Sequence, residues 1–258
     1  MYNMQSIGIY APEITEPIIN CIEKLKEHFP FPDYEIVVYN KGSFSYTNTC
    51  NYFCKIKKPV FIISIGGDGT YILAAQCISK SNIPLVGINY GKMGFLADIS
   101  NDEIELFAEK IKNNNYTIEE RTFLEIESSK ELESSKILAL NEVSITKKDS
   151  AHLMTIHSWI NDEYLGAFWA DGIMVATPTG STAYSLSLGG SIIIPSAKSF
   201  IINTIAPHTL TVRPLIIPDD SVVTIKIEGR DQHYNLALDS IAETIERDNV
   251  IKIKKSLT

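Results

Sequence analysis

Ile65-Gly66-Gly67-Asp68-Gly69-Thr70 is the stretch of this chain whose residue types and spacing could do chemistry. Gly66, Gly67 and Gly69 let a backbone come close to a phosphate, and a helix N-terminus after them would add free N–H donors. A carboxylate in the middle would repel that phosphate. Asp68 must then serve otherwise, by holding a metal ion or by taking the proton from an attacking hydroxyl. A tight turn is the plain alternative, since Gly and Asp both tolerate turn geometry. The flanks favour a site. Val60-Phe61-Ile62-Ile63-Ser64 reads as a strand buried on both faces, and residues 71–76 read as a helix start. Ligands of parallel sheets gather outside the carboxyl ends of such strands.

A second dense segment follows Asp171. A strand ends at Thr177-Pro178, and a hydroxyl-rich turn, Thr179-Gly180-Ser181-Thr182, leads through Ala183 and Tyr184 into Ser185-Leu186-Ser187. One N-cap would account for Ser181 or Thr182 alone. Four hydroxyls and a tyrosine within nine residues exceed capping and point to a polar ligand. Asn141-Glu142 interrupts an apolar run over residues 137–145. Buried there without partners, the amide and carboxylate would be costly. They are either an edge or bulge position facing water, or a platform with Glu142 accepting from ribose hydroxyls and Asn141 reading a base.

The elements that must position these groups change character along the chain. Residues 6–10, 34–39, 60–65 and 84–88 read as strands, with helical spacing over 15–29. This alternation predicts a doubly wound, mostly parallel α/β sheet. Residues 41–58 are polar and irregular. Ser100-Asn101-Asp102-Glu103 is a capping box that opens a helix to about residue 113. Beyond it, short β-type runs predict an all-β, sandwich-like domain. The expected division is residues 1–100 (α/β), 101–240 (β-rich) and 241–258, a C-terminal segment packing back on the first domain. The lysines of Val250-Ile251-Lys252-Ile253-Lys254-Lys255 suggest an exposed edge strand.

Composition narrows the function classes. The chain has 258 residues, is 45% hydrophobic and carries a net charge of −8 with no Lys/Arg-rich run, which argues against a general nucleic-acid binder. No apolar run approaches 18 residues and residues 1–10 lack a signal-peptide pattern, so no membrane partner is expected and a cytoplasmic location is. Cys50 and Cys54 have no second ligand pair at zinc spacing; with Cys21 and Cys77 they read as free thiols. No Gly-x-Gly-x-x-Gly follows the first strand and no Walker lysine motif is present, against a Rossmann dehydrogenase and a P-loop kinase.

Gly66-Gly67-Asp68-Gly69-Thr70, Asn141-Glu142 and Thr177-Pro178-Thr179-Gly180-Ser181-Thr182-Ala183-Tyr184 occur in the order and approximate spacing of the NAD kinase family, which the chain resembles in its bacterial form over residues 60–240. Gly87 to Leu96, with Phe95, is similar to that family's next loop, and Ala206-Pro207-His208-Thr209-Leu210 to a later block. The resemblance implies an α/β domain followed by a β-sandwich, with site residues drawn from both. It implies transfer of the terminal phosphoryl of ATP to the 2′-hydroxyl of the adenosine ribose of NAD, giving NADP. Asp68 would then be the general base, Asp68-Gly69 would contact NAD, and Asn141 and Glu142 would bind the adenosine half. Thr182, Ala183, Tyr184, Ser185, Leu186 and Ser187 would line the adenine pocket. Asp171 would meet the nicotinamide end, and Ala206 would contribute backbone, in its own or a neighbouring subunit's site. A divalent metal, normally Mg²⁺, and a homodimer or homotetramer are implied too. The metal's protein ligands, and ATP against polyphosphate as donor, stay open. Trp169 stands where the family often has a polar residue, and Asp239-Ser240 matches loosely. Two rivals remain: a diacylglycerol-type lipid kinase sharing the glycine loop, and a non-catalytic dinucleotide sensor, which would need no Asp68.

Overall fold

The computed structural model describes residues 4–39, 59–90, 94–148 and 152–257. The polar stretch 41–58, with Cys50 and Cys54, and residues 91–93 lie outside these. The chain divides into two compact units, Met1–Ile118 and Glu119–Thr258.

The first unit contains β1 (Gln5–Tyr10), α1 (Glu16–His28), β2 (Tyr34–Tyr39), β3 (Phe61–Gly66), α2 (Asp68–Ile78), β4 (Leu85–Asn89), β5 (Ile99–Ser100) and α3 (Ile104–Lys112). Its sheet has the order β2-β1-β3-β4-β5, every pair parallel. β1 and β3 are apolar on both faces because both faces are covered. Ile7, Ile9, Ile63 and Ile65 pack with Leu25 of α1 and Phe107 of α3, while Ile62 packs with Ala74 and Ile78 of α2. The order reverses between β1 and β3, so the loop after β3 opens at the sheet's switch point, where α/β ligands bind. The capping box holds: the Glu103 carboxylate accepts from the Ser100 N–H at 3.0 Å and its hydroxyl at 2.9 Å. A 3₁₀ turn, Asn101–Glu103, then leads into α3.

The second unit is antiparallel throughout: β6 (Leu124–Ser128), β7 (Glu142–Lys147), β8 (Met154–Ile160), β9 (Glu163–Ala170), β10 (Gly172–Ala176), a 3₁₀ turn (Thr179–Thr182), the short α4 (Tyr184–Ser187), β11 (Ser199–Ile205), β12 (Leu215–Pro218), β13 (Val223–Glu228), β14 (His233–Leu238), β15 (Ile241–Glu246) and β16 (Val250–Lys255). Two sheets, β12-β11-β10-β7-β14-β15 and β6-β16-β13-β8-β9, enclose one core in which Val143, Ile145, Val175 and Leu236 meet Ile156, Ile225 and Ile251. β10 is buried on both faces. Its second face, Met174 and Ala176, lies with Ile201 under Leu188 and Ile193.

The run Val250–Lys255 does not form an edge. β16 lies between β6 and β13, and β15 closes a hairpin with β14. The lysines of β16 alternate with buried Ile251 and Ile253; Lys254 reaches Glu125 and Glu127, and Lys255 reaches Asp219. Alternation with charge partners on the outer face satisfies an inner strand as well as an edge. Among the described residues no helix is long and apolar enough to cross a membrane.

Candidate active site

The glycine loop joins β3 to α2. Gly66 has φ +153°, and a Cβ there would stand 2.4 Å from the Thr70 hydroxyl, so only glycine fits. A Cβ on Gly67 or Gly69 would meet nothing within 4 Å: this face of the loop is bare backbone. Asp68 is the first residue of α2, where a negative charge is favoured by the helix dipole. Its carboxylate accepts from three successive N–H groups: Phe95 at 2.8 Å on Oδ2, and Leu96 at 3.0 Å and Ala97 at 3.2 Å on Oδ1. A carboxylate has about four acceptor positions. Among the described residues the fourth, on Oδ2, is left for another donor. Gly94 makes the approach possible, since a Cβ there would lie 2.1 Å from Oδ1.

A second carboxylate in the other unit does the same. Asp239 accepts from Leu140 at 2.8 Å, Asn141 at 2.8 Å and Glu142 at 3.0 Å. The facing carbonyls are held as well. The Thr177 hydroxyl donates to Leu140 O at 2.6 Å, the Thr177 N–H to Asn141 O at 2.8 Å, and the Asp239 N–H to Glu142 O at 3.0 Å. Every backbone polar group of residues 140–142 thus has a partner, and the side chains of Asn141 and Glu142 project from a fixed base. Glu142 Oε2 is buried and meets no hydrogen-bond partner among the described residues. Burial, and then the nearby Asp239 charge, pushes the Glu142 carboxyl up from 4.5 to about 7.

The turn after β10 is stitched to the same base. A Cβ on Gly180 would lie 2.2 Å from Asn141 O, so glycine is required for this approach. Three buried hydroxyls are turned inward: Thr177 as above, Ser181 to Pro178 O at 2.7 Å, and Ser185, which accepts from Asn203 at 2.7 Å. The Thr179 hydroxyl accepts from Arg121 at 3.3 Å, and that of Thr182 donates to Thr179 O at 3.3 Å. Tyr184, Leu186 and Ser187 are exposed. The hydroxyl richness of this segment thus goes largely into its own shape.

Asp171 and Ala206 lie at the other end of β10, five residues or about 17 Å along the strand from Ala176. The Asp171 N–H donates to Ile205 O at 2.9 Å, its carboxylate pairs with Lys147 at 2.6 Å, and Ala206 has φ +45°. Trp169 is 57% exposed, its ring tilted 6.2 Å from that of His208.

Residues 20–116 match the family model described as ATP-NAD kinase N-terminal domain, and residues 140–258 that of the ATP-NAD kinase C-terminal domain. The NAD kinase of Flavobacterium johnsoniae is 46% identical over 197 residues, 76% of this chain and 67% of that protein. The chain belongs to the NAD kinase family. The NAD kinase of Cytophaga hutchinsonii is 44% identical over 198 residues, 77% of this chain and 68% of that protein. In fold, the yeast NADH kinase complexed with NADH is similar at TM-score 0.83 and 24% identity, over 99% of this chain and 79% of that one. So is an NAD kinase from Archaeoglobus fulgidus in complex with ATP, at 0.77 and 24%, over 98% and 91%.

In this NAD kinase chain the predicted residues fall into three groups. Gly66, Gly67, Asp68, Gly69, Thr70 and Phe95 gather at the α2 N-terminus, with Phe95 exposed. Asn141, Glu142, Thr179 and Thr182 to Ser187 gather at one end of β10, and Asp171 and Ala206 at the other. Sequence reasoning placed Gly94, Thr177 and Gly180 in motifs and Asp239 as a loose match without their holding roles, and missed Asn203. Asn203, a lone amide in the apolar run Phe200-Ile201-Ile202-Asn203, was a usable signal; Gly94 and Gly180 were not, because their demand arises from distant chain. Among the described residues no three His, Cys, Asp or Glu side chains converge as a metal cage.

Proposed function

We propose that this chain phosphorylates the 2′-hydroxyl of the adenosine ribose of NAD, with ATP as donor. The observation that carries the reading is Asp68: a carboxylate beside bare glycine backbone at a helix N-terminus, fixed by three N–H groups and, among the described residues, with one Oδ2 position left to accept. Asp68 takes the proton of the 2′-hydroxyl. The oxygen forms its bond to the γ-phosphorus as the bond to the bridging oxygen breaks, and ADP leaves with the electron pair. Positioning and charge neutralisation carry most of such a transfer. The N–H groups of the first turn of α2 receive the donor phosphates. Mg²⁺ would arrive with the donor phosphates, held by their oxygens and by water, and would offset their charge.

The second unit holds the adenosine half. Glu142 Oε2 is a buried acceptor suited to a ribose hydroxyl, and Asn141 and the exposed Tyr184 suit the base. The Asp171–Ala206 group, about 17 Å along β10, meets the nicotinamide end of the ligand, in its own or a neighbouring copy's site of a homo-oligomer. The test is NADP formation by the purified protein with NAD, ATP and Mg²⁺, beside Asp68→Asn. Product that vanishes in the variant supports the reading. Product undiminished in the variant removes Asp68 as the base, and NAD binding without turnover leaves a sensor.

A further inference from the structure

We infer that Asp239 is a positioning residue for the dinucleotide, fixing both the orientation and the charge state of Glu142, so that binding of NAD near neutral pH expels a proton. The inference rests on the placement of the adenosine ribose at Glu142 given above. Asp239 lies in the two-residue turn between β14 and β15 at φ +51°, where its carboxylate reaches across to three successive N–H groups of residues 140–142. A non-glycine residue at positive φ is held there by its surroundings.

The same carboxylate is the charge that Glu142 faces. β10 offers Ala176 opposite Glu142, and the Thr177 hydroxyl that follows it is taken up by Leu140 O. The cation of that region, Arg121, donates to Thr179 and pairs with Glu119 at 2.5 Å. Burial is the first cause that holds Glu142 protonated, and among the described residues the Asp239 charge adds to it. Buried beside another carboxylate, with Oε2 unpartnered, Glu142 keeps its proton to about pH 7. Ribose hydroxyls donate to a carboxylate and stabilise its charged form. Binding thus favours the ionised state, and the proton held in the free protein leaves.

The experiment is calorimetric titration of the wild-type protein with NAD, in buffers of different ionisation enthalpy, from pH 6 to 8. Expected are about half a proton released per NAD at pH 7 and about tenfold tighter binding at pH 8 than at pH 6. Glu142→Gln should bind with no proton release and no pH slope. Asp239→Asn removes the repulsion, so Glu142 ionises earlier, and the slope should move to lower pH. A purely structural role for Asp239 would weaken binding equally at every pH. Binding without proton release in the wild type, or an Asp239→Asn slope with an unmoved midpoint, overturns the inference. Absence of NAD binding, or Glu142→Gln with wild-type affinity at every pH, overturns instead the site reading beneath it. The wild-type titration decides even if Asp239→Asn does not fold.

Discussion

Asp68 and Asp239, one in each unit, make the same local structure: each accepts three consecutive backbone N–H groups from distant chain. They differ in what else they face. Asp68 begins a helix, beside glycines that leave the backbone bare. Asp239 occupies a hairpin turn, against a second carboxyl. Three N–H donors make a carboxylate a rigid fixture; the next neighbour decides its chemistry. Among the described residues, an open acceptor position beside bare glycine backbone suits proton removal. A buried carboxyl nearby makes the other aspartate a regulator of charge.

The largest effect that would break the comparison is on turnover. Asp68→Asn should keep the fold and NAD affinity within a few-fold while lowering kcat by about 10²-fold or more. Near-normal turnover would reduce Asp68 to a loop anchor, alike in role to Asp239. Two glycine variants then test whether each carboxylate's surroundings carry separate functions. Gly94→Ala drives a methyl into Asp68 and should lower kcat by about tenfold or more. Gly180→Ala drives one into Asn141 O and should act mainly on KM for NAD. Overpacking of this kind costs about 1–3 kcal/mol, so thermal melts should accompany both assays. If both variants change kcat and KM alike, the division of labour is wrong.

Much of this was legible beforehand. The β3–loop–α2 unit announces itself by a continuous apolar strand and clustered glycines, both local signals. The extent of β2 and the capping box before α3 are local as well. β11 and the β14–β15 hairpin were missed: Asn203 interrupts one apolar run, and Asp239-Ser240 is a weak hairpin signal beside Asn-Gly or Asp-Gly. The lysines of β16 suggested an edge because sequence gives the sign of a charge but not its partners, here Glu125, Glu127 and Asp219. At the site, residue types pointed to Asp68 and Glu142. That Asp239 and Thr177 fix the base of Glu142 depends on contacts 97 and 37 residues apart in sequence, which no local pattern contains.

A smaller effect concerns stability and sharpens the contrast on the Asp239 side. Folded Glu142 holds its proton to about pH 7 against an ordinary 4.5. Between these values the folded state binds more protons than the unfolded chain, so stability falls as pH rises through this window and stays lower above it. Glu142→Gln removes the penalty. It should stabilise the ligand-free protein at pH 8 by about 3 kcal/mol, with the gain closing toward pH 4.5. Denaturant melts at pH 5 and pH 8 measure the difference; an equal gain at both would mean that Glu142 is not the titrating group.

The smallest effect comes from a carboxylate held by a side chain rather than by backbone. Glu127 accepts from Lys254 at 2.5 Å on the outer face of β16, and this hydrogen bond holds its carboxyl below the usual range. The sign is opposite to that of Glu142. A lowered carboxyl contributes stability that is present above its unfolded value, near 4.5, and is lost as pH falls through the folded one. The pair is exposed to solvent, so screening limits it: Lys254→Met should cost no more than about 1 kcal/mol at neutral pH, less in high salt. The two carboxyls therefore act in separate windows, Glu142 between about 4.5 and 7 and Glu127 below 4.5. In melts of the double variant Glu142→Gln/Lys254→Met, flattening on both sides of pH 4.5 would assign each slope to its group. A slope surviving above 4.5 would place the neutral-range proton elsewhere than on the carboxyl that Asp239 faces.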